Sequence, residues 1–188
     1  MGQLTFIIGG ARSGKSDHAE KLALLSDGQV LYIATAQALD EEMQRRIEAH
    51  KEKRSARWHT IEIPTDVGTQ LLAQPPRADV LILDCVTLLV SNAMLKAAPD
   101  PDQPDEAAAR LVVETEINSL LKAVTDIPGQ WLIVSNEVGQ GVVPAYAAGR
   151  LFRDLLGWAN QRLADHADEV IWMVAGIPIS IGQYRLKE

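Results

Sequence analysis

The sequence predicts an α/β fold, with a mostly parallel central sheet covered by helices on both faces. Short apolar runs rich in Val, Ile and Leu alternate along it with longer stretches of helical period, the pattern of strands and crossover helices in a parallel sheet. At 188 residues, 47% of them hydrophobic and 23% charged, the chain has the size and composition of one packed globular domain. No internal repeat interrupts the pattern.

In chain order, the apolar run QLTFII predicts a strand over 3–8, and a helix over 15–25 follows. VLYIA predicts a strand over 30–34, and the spacing after it predicts a helix over 40–54. WHTIEI reads as a strand over 58–63, followed by a helix over 66–73. VLIL at 80–83 is the next strand and 88–97 the next helix. Residues 97–104 (AAPDPDQP) hold three prolines and two aspartates, so they form a loop that cannot continue a helix. It is read as a solvated surface connection, with an active-site lid as the alternative. A helix over 105–124, the strand QWLIVS at 130–135 and a helix over 145–166 come next. VIWMV at 170–174 and a weaker run at 177–181 complete the sheet.

The net charge of −7 disfavours a general nucleic-acid binder, whose affinity comes from neutralising phosphates. The single cysteine, Cys85, has no internal disulfide partner, and no stretch reads as a signal peptide. A reducing cytoplasm is expected. The richest apolar stretch, 80–90, carries Asp84 and Thr87 and is shorter than the ~18 residues a membrane span needs.

The strand at 3–8 runs into Gly9, Gly10, Ala11, Arg12, Ser13, Gly14, Lys15 and Ser16, which satisfies the Walker A spacing G-x-x-x-x-G-K-S and opens a helix. Glycines let backbone N–H groups turn onto phosphate oxygens at the positive end of that helix. Lys15 is then placed to reach the β and γ phosphates, and Ser16 to give a hydroxyl ligand to Mg²⁺. Strand, loop and helix together predict a P-loop NTPase of RecA-like shape. VLILD puts Asp84 at the end of an apolar strand as a Walker B carboxylate, or alternatively as a cap on the next helix. Cys85 reads as a small buried hydrophobe rather than a nucleophile. No N-K-x-D occurs and Asp84 does not begin D-x-x-G, which disfavours signalling GTPases; guanine, if bound, is read another way.

From 44 to 57, six bases (Arg45, Arg46, Lys51, Lys53, Arg54, Arg57) and two acids (Glu48, Glu52) give a local charge of +4. That contrast with the acidic whole points to an anionic ligand. At helical spacing His50 shares a face with Arg46, Ile47, Lys53 and Arg54. Neighbouring cations keep an imidazole neutral, so a ring nitrogen there could attack phosphorus. Spacing alone favours a solvated basic helix with an incidental histidine; His18, His59 and His166 read at least as blandly.

G-G-A-R-S-G-K-S at 9–16, Y-I-A-T at 32–35, D-E-E-M at 40–43, R-I-x-x-H-K-x-x-R at 46–54, W-x-T-x-E at 58–62, S-N-E-V-G-x-G-x-V-P at 135–144 and F-R-D-L-L-G-W-A-N-Q at 152–161 occur in this order. As a set they resemble the bifunctional adenosylcobinamide kinase/adenosylcobinamide-phosphate guanylyltransferases, over nearly the whole chain. Only the first element is generic. The resemblance implies a cobalamin biosynthesis and salvage enzyme. It would phosphorylate adenosylcobinamide from ATP or GTP, then transfer GMP from GTP to that phosphate and release pyrophosphate. It implies that His50 is the guanylylated histidine, and that the kinase step falls to the phosphate loop with Lys15 as its catalytic residue. It further implies nucleotide contacts from the whole loop, from Ala34, Thr35 and Ala36, from Lys51, Glu52, Lys53 and Arg54, from Glu62 and from Asp84, with Mg²⁺ on Ser16 and Asp84. Glu62 could accept hydrogen bonds from guanine or from ribose hydroxyls. Some members have a second histidine where this chain has Ala49, which keeps a kinase-only enzyme as an alternative. A RecA-like nucleotide-binding module is another, and the acidic charge weighs against it. Glu137 in S-N-E-V-G is a candidate to orient the substrate hydroxyl, or a turn carboxylate. No D-x-H-x-x-G occurs to ligate cobalt, so the corrinoid would be held by its periphery. The resemblance also implies a homotrimer. Trp58, Trp131, Trp158 and Trp172 are read as core rather than interface.

Overall fold

A computed structural model describes residues 2–37, 41, 44, 45, 48, 51, 55 and 57–184. Seven strands form one sheet: β1 (Gly2–Gly9), β2 (Val30–Ala34), β3 (His59–Glu62), β4 (Val80–Asp84), β5 (Gly129–Asn136), β6 (Glu169–Val174) and β7 (Ile177–Ser180). Their order is β3-β2-β4-β5-β1-β6-β7. Every pair is parallel except β6 with β7, a hairpin turning through Ala175 and Gly176.

The helices are α1 (Lys15–Leu24), α2 (Val67–Ala73), α3 (Val86–Ala97), α4 (Glu106–Asp126) and α5 (Ala147–His166), and a 3₁₀ turn covers Gly182–Tyr184. Alternate strand residues face opposite ways. Leu4, Phe6, Leu31, Ile33, Leu81, Leu83, Trp131 and Ile133 join the large core under α2 to α5, whereas Ile7, Tyr32, Val80, Ile82, Leu132 and Val134 pack with Ala19 and Ala23 of α1. Burial on both faces explains why the central strands read as apolar runs without polar alternation. Trp131 is fully buried, as expected of a core residue; Trp172 is 37% exposed on β6.

Element ends have local causes. Asp105 caps α4, its carboxylate accepting from the Ala108 N–H at 3.0 Å. Gly129, at φ 131, turns the chain from α4 into β5. Helix α5 starts two residues later than expected because Arg150 Nη1 donates to the carbonyls of Pro144 (3.2 Å) and Ala145 (2.7 Å), which holds that turn outside the helix. The loop after α3 is an exposed connection braced at both ends. Asp100 Oδ1 accepts from the N–H groups of Asp102 and Gln103, and the Ala148 N–H donates to the Pro101 carbonyl at 3.1 Å. Helix α2 is capped from a distance: the buried Glu116 on α4 accepts from the N–H groups of Asp66 (2.5 Å) and Val67 (2.9 Å). Burial pushes this carboxyl above its ordinary range, and the two backbone donors only partly oppose that shift.

Candidate active site

The carboxyl ends of β1, β2, β4 and β5 lie along one edge, where open α/β sheets bind ligands. Residues 9–16 leave β1 there and enter α1, as the sequence predicts. Gly14 has φ 91, a left-handed conformation that favours glycine, and a Cβ on it would lie 3.3 Å from Gly176 Cα. Gly9 is enclosed as tightly: a Cβ there would come within 2.4 Å of the Met173 carbonyl. The β6–β7 turn supports the loop from below, with the Gly176 N–H donating to the Ser13 carbonyl at 3.0 Å. Lys15 is buried and its Nζ donates to the Gly10 carbonyl at 2.7 Å. Ser13 Oγ is buried with no hydrogen-bond partner among the described residues, so a hydroxyl stands ready to bond an oxygen brought by a ligand.

Asp84 ends β4, opposite Ala34 of β2. It does not cap α3, whose first position is preceded by Cys85 with no side-chain cap. Its Oδ2 accepts instead from the Tyr32 phenol at 2.6 Å. Burial lowers the Lys15 pKa, and Cys85 and Asp84 beside it act the other way. Burial also pushes the Cys85 thiol up to about 12, so it is neutral at physiological pH. Of the two, only the Asp84 carboxylate carries charge towards Lys15. A neutral buried thiol is also a poor nucleophile, as the sequence predicts.

Thr35 is fully buried. Its Oγ1 accepts from the Cys85 N–H and donates to the Cys85 carbonyl, both at 2.8 Å. Its N–H donates to the Asp84 carbonyl at 3.1 Å, and its own carbonyl accepts from Asn92 Nδ2 at 2.9 Å. With all of these groups engaged, Thr35 braces the Asp84–Cys85 backbone. On β5 a second clamp operates: Ser135 Oγ donates to Asn160 Oδ1 (2.6 Å), and Asn160 Nδ2 donates to the Asn136 carbonyl (3.1 Å). The next residue, Glu137, donates its N–H to the Gly9 carbonyl at 3.0 Å, which joins the β5 loop to the phosphate loop. The Glu137 carboxylate accepts from the Gly139 N–H at 2.6 Å, a turn contact within its own loop.

Residues 41, 44, 45, 48 and 51 are helical, as expected for 40–54. His50, Glu52, Lys53 and Arg54 lie outside the described residues, together with Arg46, Ile47 and Ala49. Lys51 Nζ pairs with Glu62 Oε1 at 2.6 Å, which places this member of the basic stretch at the end of β3, two strands from Asp84. Ala36 follows β2 at the same edge. Among the other histidines, His59 is exposed on β3 and His166 Nδ1 lies 2.9 Å from the Arg162 carbonyl at the end of α5.

Among the described residues no three His, Cys, Asp or Glu side chains converge as a metal cage. A hydroxyl from Ser16 and a carboxylate from Asp84 are hard oxygen donors. Such a pair fits Mg²⁺, which takes one or two protein ligands and completes its shell with phosphates and water. Sequence reasoning gave Tyr32 and Asn160 no role beyond membership of the Y-I-A-T and F-R-D-L-L-G-W-A-N-Q motifs, and missed Asn92 and the 175–176 turn as site-building residues. The signal for Asn92 is an amide inside an otherwise apolar helix, and for the turn a glycine between two strands.

No helix among the described residues is long and apolar enough to cross a membrane. The "Bifunctional adenosylcobalamin biosynthesis protein CobU" of Salmonella typhimurium is 45% identical over 181 residues, covering 95% of this chain and 99% of that protein. The Escherichia coli protein of the same name is 42% identical over the same shares, and CobP of Pseudomonas aeruginosa is 41% identical over 175 residues. Among solved structures, an ATPase of the type III secretion system superposes at TM-score 0.50 with 13% identity, over all of this chain and 59% of that one, which shows a shared fold. Residues 5–181 match the family described as cobinamide kinase / cobinamide phosphate guanyltransferase, and the chain belongs to that family.

Proposed function

We propose that this single-domain protein performs both reactions of its family at the carboxyl edge of the sheet. It first phosphorylates adenosylcobinamide from ATP or GTP, then transfers GMP from GTP to the resulting phosphate. The observation that carries this reading is the phosphate loop with a buried Lys15 in the field of Asp84, on one sheet edge with the Lys51–Glu62 pair, whose lysine is the last residue of R-I-x-x-H-K.

In the kinase step the backbone of 9–14 and the Lys15 ammonium hold the β and γ phosphates, and the substrate hydroxyl attacks the γ phosphorus as the nucleoside diphosphate leaves. Mg²⁺, held by Ser16 and Asp84, would neutralise phosphate charge. The protein's own contribution is position and charge, because little covalent chemistry falls to it. The acceptor approaches past the loop at 137–146, where Val142 (97%), Val143 (57%) and Tyr146 (60%) are exposed and offer apolar surface to the corrinoid periphery. Glu137 orients the hydroxyl by fixing this loop.

In the second step a ring nitrogen of His50 forms a bond to the α phosphorus as the bond to pyrophosphate breaks. A phosphate oxygen of adenosylcobinamide phosphate then attacks, the P–N bond breaks and the imidazole is restored. Cations at Lys51, Lys53 and Arg54 stabilise charge on the phosphates, with Glu52, Ala34 and Ala36 lining the nucleotide and Thr35, fully buried with its polar groups engaged, supporting that edge from behind. Glu62 exchanges Lys51 for donors of the nucleotide. We place the protein in the cytoplasm as a homotrimer; the apolar Trp172, Val174, Ile177 and Ile179 exposed on β6 and β7 suit a subunit contact. Chromatography of products formed from adenosylcobinamide and GTP labelled at the γ phosphate tests the pair of activities. The reading requires labelled adenosylcobinamide phosphate, its conversion to adenosylcobinamide-GDP, and loss of both products in Lys15→Ala; persistence of both in that variant would refute it.

A further inference from the structure

An aspartate carboxylate at a strand end turns freely about its last torsion, since that torsion is broad and roughly two-fold. A metal held by only one protein carboxylate and one hydroxyl depends on that carboxylate facing the right way. In this protein Asp84 Oδ2 is fixed by the Tyr32 phenol at 2.6 Å, a length typical of a hydroxyl donating to an ionised oxygen. Tyr32 cannot swing away easily. It is fully buried in β2, and its ring stacks on Trp58 with centroids 6.4 Å apart and planes 19° from parallel. Strand register holds the two backbones as well, because Tyr32 pairs with Ile82 two residues before Asp84.

We infer that Tyr32 is a positioning residue for the metal carboxylate: by occupying Asp84 Oδ2 it presents Oδ1 to the cation bound with the nucleotide. The inference rests on the proposed role of Asp84 as the metal ligand. Partners that orient a metal ligand typically contribute 10- to 100-fold to metal affinity. Here phosphates and water supply most of the shell, so the smaller effect of about 3- to 10-fold is expected. Tyr32 also connects that carboxylate to Trp58, whose backbone N–H donates to the Ser55 carbonyl at 3.0 Å where the basic stretch ends.

The test is Mn²⁺ binding to the full-length protein with a GTP analogue whose α and β phosphorus atoms are joined by carbon. Free Mn²⁺ is counted by electron paramagnetic resonance. Tyr32→Phe keeps the ring and its stack but removes the hydroxyl; Asp84→Asn tests the ligand itself. The expected result is Mn²⁺ affinity about 3- to 10-fold weaker in Tyr32→Phe, with metal-free analogue affinity unchanged within about twofold. Unchanged Mn²⁺ affinity in Tyr32→Phe beside a loss in Asp84→Asn overturns the inference and leaves Asp84 as ligand. Unchanged affinity in both variants removes the Asp84 assignment and the inference with it. An equal loss of metal-free analogue binding in Tyr32→Phe also overturns the inference, because a purely structural role would act that way.

Discussion

Replacing Thr35 with valine would test whether the Asp84–Cys85 backbone is held by one buried hydroxyl. Valine has nearly the same shape, so the perturbation is chiefly the loss of Oγ1. That atom accepts from the Cys85 N–H and donates to the Cys85 carbonyl, both at 2.8 Å, at a site with no solvent exposure. The carbonyl retains a second donor, the Leu89 N–H at 3.1 Å, so the orphaned Cys85 N–H dominates the cost. An unsatisfied buried donor costs about 1–3 kcal/mol, and the weakened carbonyl brings the expected loss to about 2–3 kcal/mol. For a chain of this size that is a fall in Tm of about 4–12 °C. Calorimetry of the wild type, Thr35→Val and Thr35→Ser measures it. Thr35→Ser keeps the hydroxyl and should recover most of the loss, whereas equal melting temperatures for Thr35→Val and wild type would refute the reasoning.

Other consequences follow from single residues. Gly14→Ala forces a side chain into φ 91 with its Cβ 3.3 Å from Gly176 Cα; the left-handed backbone costs about 1–2 kcal/mol, and nucleotide affinity by calorimetry should fall roughly tenfold for about 1.4 kcal/mol. Glu116 has its pKa raised by burial, so the native state holds a proton that the unfolded chain has released. The stability it contributes is complete below its unfolded pKa and declines as pH rises through the folded value. Urea melts across that interval should show the decline in wild type and its absence in Glu116→Gln, which should also be less stable because an amide offers one acceptor oxygen to two backbone donors. Val142→Asp should raise KM for adenosylcobinamide several-fold and leave KM for GTP unchanged in steady-state kinase assays; an unchanged corrinoid KM would remove the 137–146 loop from the acceptor site.

The sheet was legible because its strands are buried on both faces. VLYIA, VLIL and the WLIV of β5 are short apolar runs without polar alternation, the pattern of strands covered on both sides in a parallel sheet. The phosphate loop was legible because its chemistry is local: strand, glycines, Lys15 and Ser16 are consecutive. The supports of Asp84 were not. Tyr32 and Asp84 are separated by 52 residues, Thr35 and Cys85 by 50, and Ser135 and Asn160 by 25. Each pair meets only after strands β2 and β4, or β5 and α5, have packed. Glu116 shows the same limit: its spacing on α4 marks a buried face, while its role as the cap of α2 comes from a helix 49 residues away. The start of α5 was misplaced by two residues because a side chain one turn later, Arg150, takes the carbonyls that would have continued the helix.

On the proposed mechanism His50 carries the guanylyl group, and covalent labelling addresses that directly. The full-length protein is incubated with Mg²⁺ and GTP labelled at the α phosphate, then denatured and separated from free nucleotide. The wild type should retain about one label per chain, stable to base and released by acid as a phosphoramidate is. His50→Ala should retain none while still forming adenosylcobinamide phosphate. Equal labelling of His50→Ala, or no label on the wild type while it makes adenosylcobinamide-GDP, would contradict the account.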